Sequence, residues 1–92
     1  MNLKIDNNME LIVLSPEKEF FKGSVKSVTV PGTAGEFEVL ENHAPLISSL
    51  SNGEVKIKNL NGDISVFQIE GGFIEIIENE LAILAQNVKS VN

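Results

Sequence analysis

The 92 residues, 42% hydrophobic and 22% charged, suffice for one packed core and leave nothing over for a second domain. Thirteen acids stand against seven lysines with no arginine, for a net charge of -6, so the basic face and guanidinium forks that grip nucleic acid are missing. There is no cysteine for disulfides or thiolate metal sites, and no apolar run approaches the roughly 20 residues that span a bilayer.

Residues 1–8 are polar, with Asp6, Asn7 and Asn8, and read as an N-terminal tail and not as a signal peptide. From Glu10, "ELIVL" is a short apolar strand stopped by Ser15 and Pro16. "EKEFFKG" then turns into "SVKSVTVPG", where Lys26, Val28 and Val30 alternate with Val25, Ser27 and Thr29, a period of two rich in β-branched side chains. In "GEFEVLEN", Phe37 and Val39 face away from Glu36 and Glu38; in "GEVKIK", Val55 and Ile57 face away from Lys56 and Lys58. Between these two strands, "APLISSL" is compatible with either helix or strand. Asn61-Gly62 predicts a tight turn with positive φ joining "VKIKNL" to "DISVFQI" as a hairpin. Gly71-Gly72 interrupts before "FIEII", and Asn79 turns the chain into "ELAILAQ". The pattern gives about eight to ten short strands in one all-β domain over residues 9–87, a sandwich or flattened barrel, with 88–92 as a loose tail.

Within this frame "FEVLENH" and "IEIIENE" echo each other, as two half-buried strands each running into an acidic turn; hairpin chemistry produces such an echo without duplication. Several strands are apolar on both sides: Phe73 and Ile77 point one way with Glu75, Ile74 and Ile76 the other, and Leu81, Ile83 and Ala85 oppose Ala82 and Leu84. A second apolar face needs closure into a barrel, a covering segment or a partner. Phe73, just after the glycine pair, is expected to pack inside.

Little catalytic chemistry is available. His43 lies within seven residues of Glu36, Glu38 and Glu41, which raises a metal site or a general base, but no second histidine completes a common zinc site. A surface histidine among solvated acids is the plainer reading. Gly32 and Gly35 in "PGTAGE" lack the Lys-Ser/Thr pair and the following helix of a phosphate cradle, so they read as a turn. No Gly-x-Ser-x-Gly elbow is present.

The run "ELIVLSPEKEFFKGSVKSVTVPGTAGEFEVLENHAPLISSLSNGEVKI" with "IEGGFIEIIENELAILAQ" resembles the epsilon subunit of rotary ATP synthases over residues 10–87. The resemblance implies a flattened β-sandwich of about ten strands and a non-catalytic rotor subunit without cofactor or small-molecule substrate. Such a subunit links the gamma subunit of the central stalk to the membrane c-ring, coupling ion translocation to ATP synthesis at the cytoplasmic face of a bacterial inner membrane. It implies c-ring contacts at Pro31, Gly32, Thr33, Ala34, Gly35, Glu36 and Glu38, and gamma contacts at Ser15, His43, Pro45, Leu46 and Ser48. Asn42 stands where the family usually has glycine, as does Glu38; asparagine tolerates positive φ and glutamate does so poorly. Many relatives continue into a two-helix hairpin that inhibits ATP hydrolysis; the sequence stops at "NVKSVN", before such an arm. A free-standing β-sandwich binding module is the alternative without the resemblance.

Overall fold

The computed structural model describes residues 8–91, so the expected tail over 1–8 lies, apart from Asn8, outside the described residues. Its strands are β1 (Met9–Leu14), β2 (Glu19–Gly32), β3 (Gly35–Val39), β4 (Leu46–Asn59), β5 (Ile64–Ile77), β6 (Glu80–Ala85) and β7 (Lys89–Ser90). Seven strands replace the expected eight to ten because β2, β4 and β5 each run 14 residues through a bend, where sequence punctuation suggested separate strands. Two segments left open or read as a turn, "LISSL" and "EFFKG", are the first halves of β4 and β2.

The order is β1-β6-β5-β4-β2-β3, with β7 on β5. β1 pairs with β6 in parallel and with β2 antiparallel, so the sheet returns on itself and encloses one core. The register shows how. Val13 pairs with Ile83 and Ile83 with Ile74; two residues along, Leu11 pairs with Leu81 and Leu81 with Ile76. All six are buried. Each fully buried Val, Leu or Ile contributes about 1.5–3 kcal/mol, and a slip by one residue would turn the whole row outward. That parity also places Phe73. Contrary to the expectation from sequence, its side chain is 57% exposed while Ile74 beside it is 0% exposed, because alternate residues of a strand cannot share a face.

β2 does not keep one phase. Val25 and Ser27 are buried, and so are Val28 and Val30, across a register shift between Val25 and Ser27 against β4. An extra residue at that bulge exchanges the two faces, which simple alternation could not anticipate. The β4–β5 connection also departs from a two-residue turn. Gly62 N–H donates to Asn59 O at 2.9 Å and Asn59 N–H to Asp63 O at 2.8 Å, and only Gly62, at φ 94°, is left-handed. Asn61 instead bonds Asp63 through its side chain. At the bend of β5, Gly72 has φ 147°, and a Cβ there would lie 2.2 Å from Leu84 O, so β6 crosses where only glycine fits. The ordered fold extends past the expected limit at residue 87: Val88 is 7% exposed and β7 pairs with Phe67 and Gln68.

Candidate interaction surfaces

The residues from Pro31 to Glu38 form a hairpin in which Gly32 faces Gly35 across Thr33 and Ala34. Gly32 is buried, and a side chain on it would strike the Phe37 ring at 2.8 Å; the ring fills that space and fixes the hairpin's base. Thr33 N–H donates to Ser49 O at 3.1 Å, Thr33 Oγ1 and Ser49 Oγ share a hydrogen bond of 3.1 Å, and Ser51 Oγ donates to Gly32 O at 3.4 Å. The tip is thereby tied to β4. Thr33, Ala34, Gly35, Glu36 and Glu38 are exposed, with Pro31 half-buried, so the two carboxylates stand free on the outward face of β3. Glu38 lies in regular strand without positive φ, so the loss of the family's glycine there introduces no backbone strain.

The second set is more varied. Ser15 is nearly buried; its Oγ accepts from Glu17 N–H at 3.2 Å and Lys18 N–H at 3.3 Å, so it caps the β1–β2 turn. His43 is half-buried, with Nδ1 2.7 Å from Ala44 O. Pro45 is exposed. Leu46 and Ser48 pair with Ile76 and Ile74 and so look toward the core side of β4, with Leu46 at its open end, 36% exposed. Because Thr33 bonds Ser49, the first set touches the strand that carries the end of the second: the two sets adjoin at the arm Leu46–Ser49.

Sequence reasoning missed a link behind His43. Asn42 has φ 63°, satisfying in asparagine what the family's glycine does there, and its N–H donates to Asn79 Oδ1 at 2.5 Å. The signal was the echo of "FEVLEN" and "IEIIEN", whose final asparagines bond each other.

A family model for the ATP synthase delta/epsilon chain β-sandwich domain matches residues 8–91. An ATP synthase epsilon chain of Leptospira interrogans is 42% identical over 81 residues, covering 88% of this chain and 63% of that protein. One from Chlorobium limicola is 39% identical over 83 residues, covering 90% of this chain and 94% of that protein. The chain thus spans less than two thirds of the first relative and nearly all of the second. Among solved structures, a chain of the Euglena gracilis mitochondrial ATP synthase superposes with a TM-score of 0.88 at 18% identity, covering 98% of this chain and 57% of that one, a likeness of fold.

Proposed function

From the premise that the chain belongs to the ATP synthase delta/epsilon family of β-sandwich domains, we propose that it is a non-catalytic subunit of the rotor of a rotary ATP synthase, joining the gamma subunit to the c-ring. The observation that carries the proposal is the 42% identity, over 88% of the chain, to a protein named as an ATP synthase epsilon chain. The geometry supports it: the hairpin bearing Glu36 is held by three hydrogen bonds to β4, so force applied at its tip passes into the sheet and not into a loose loop. Glu36 and Glu38 are exposed for a basic surface on the ring, and His43, Pro45 and Leu46 form the neighbouring edge toward gamma. The working location is the cytoplasmic face of a bacterial inner membrane, reached through the complex.

Coexpression with the cognate gamma subunit tests the reading. A tagged copy of this chain is expected to bring gamma down in stoichiometric amount. Gamma that stays in the flow-through while the β-sandwich remains folded removes the rotor assignment.

A further inference from the structure

Asparagine followed by glycine occurs twice in the chain, at Asn52-Gly53 and at Asn61-Gly62. Such a pair holds the elements of a slow self-reaction. The backbone nitrogen after the asparagine can attack the carboxamide carbon and close a five-membered imide, and glycine has no Cβ to hinder the approach. The two pairs are alike in sequence and differ in where the fold places them.

Asn52 lies inside β4, opposite Glu70, with Gly53 opposite Ile69. Gly53 is half-buried, and a Cβ on it would lie 2.9 Å from Pro31 Cβ, so this backbone is pressed between β5 and β2. Closing an imide there requires the main chain to leave the ladder in the interior of a 14-residue strand. Asn61 and Gly62 are instead exposed at the tip of the β4–β5 connection, outside the strands. Asp63 N–H donates to Asn61 Oδ1 at 3.0 Å, and Asn61 Nδ2 donates to Asp63 Oδ2 at 3.1 Å. The first bond folds the carboxamide back over the peptide joining Asn61 to Gly62, and it aims an N–H at the oxygen on which negative charge develops during the attack. Beneath the tip, Asp63 O accepts from Asn59 N–H at 2.8 Å and from Asn59 Nδ2 at 3.1 Å, so Asp63 is anchored. The attacking atom is restrained by the bond from Gly62 N–H to Asn59 O at 2.9 Å. Releasing that bond opens only an exposed turn tip, which requires far less free energy than opening the interior of a strand.

We propose that Asn61 is a site of spontaneous deamidation and isoaspartate formation, selected over Asn52 by the fold. In the first step Gly62 N bonds to Asn61 Cγ, the Cγ–Nδ2 bond breaks, and the proton lost from Gly62 N departs with Nδ2 as ammonia. Water then opens the imide. Cleavage of the bond from Cγ to nitrogen leaves aspartate at position 61; cleavage of the bond from the main-chain carbonyl leaves isoaspartate, which carries the chain through Cβ and Cγ. Both products place a new carboxylate beside Asp63, on a chain whose net charge is already -6. Isoaspartate also lengthens the main chain by a methylene inside the turn that Gly62 and Asn59 close.

The test ages the intact protein at mildly alkaline pH and follows it by peptide mapping, in which the aspartate and isoaspartate forms separate and both carry the mass gain of amide-to-acid conversion. In the folded protein, conversion at Asn61 is expected to run about tenfold or more faster than at Asn52. In denaturing urea the two rates should draw together. Asn61→Gln, whose longer side chain closes only a slower six-membered ring, should remove the acidic species from a native charge separation, and Asn52→Gln should leave it in place. Conversion at Asn52 as fast as at Asn61 in the folded protein, a ratio that urea does not change, or an acidic species that survives Asn61→Gln would each overturn the proposal. The measurement involves no partner chain, so its outcome is independent of the rotor reading.

Discussion

Asn42 and Asn79 hold each other across the gap between the β3–β4 loop and the β5–β6 turn: Asn42 N–H donates to Asn79 Oδ1 at 2.5 Å, and Asn79 Nδ2 donates to Asn42 Oδ1 at 3.3 Å. Both residues sit at φ 63°, a conformation that asparagine reaches more readily than other side chains. Asn79 O also accepts from Glu10 N–H at 2.9 Å, so one residue joins β1, the β5–β6 turn and the loop carrying His43. Asn79→Gly keeps the backbone conformation and loses the side-chain bonds, for an expected loss of about 0.5–1.5 kcal/mol per bond. Asn79→Ala adds the left-handed penalty of about 1–2 kcal/mol. Urea unfolding should therefore rank wild type above Gly and Gly above Ala; equal midpoints for the two variants would mean that backbone strain plays no part at this turn.

Parity in β5 makes a sharp contrast between neighbours. Ile74 is fully buried against Ile83, whereas Phe73 is 57% exposed. Ile74→Ala is expected to cost about 2–5 kcal/mol, and Phe73→Ala about 0.5 kcal/mol or less, in line with surface substitutions. Paired denaturation curves decide it, and a larger loss at Phe73 would place that ring in the core.

Gly72 and Gly35 both have positive φ, at 147° and 131°, but their surroundings differ. A methyl at Gly72 would collide with Leu84 O and Ala85 Cα, while nothing lies within 4 Å at Gly35. Gly72→Ala should lose about 1–3 kcal/mol more than Gly35→Ala, the usual range for forced overpacking. Circular-dichroism melts of the two variants measure the difference; matching melts would show that β6 shifts without cost.

Glu36 is exposed on the outward side of a hairpin whose base is packed by Phe37. Under the proposed function, Glu36→Lys exchanges attraction to a basic ring surface for repulsion, and Glu36→Gln only removes the attraction. ATP-driven pumping by inverted vesicles should fall further with Lys than with Gln, with gamma capture retained and the difference shrinking at high salt. Unaltered pumping with both variants takes Glu36 out of the ring contact, and loss of gamma capture exchanges the two partner faces.

The sequence alone determined the all-β class and the family, because a period-two pattern of β-branched residues and a motif such as "VPGTAGEFEVLENHAPL" are local and survive without coordinates. It also revealed that several strands are apolar on both sides, but not which side is the core: in "FIEII" either parity is locally reasonable, and only the pairing of Ile74 with Ile83 and of Ile76 with Leu81 turns Phe73 outward. Tertiary structure likewise decided the bulge that exchanges the faces of β2 at Ser27, the continuity of β4 from Leu46, and the burial of Val88 in the core just before the last strand. Each depends on a partner strand far away in the chain. So does the bond from Asn42 to Asn79, 37 residues apart, which the sequence showed only as an echo. Side-chain alternation is a property of one strand, whereas register, closure and the contact between two turns are properties of pairs, and a chain read one residue at a time carries no information about which pair will form.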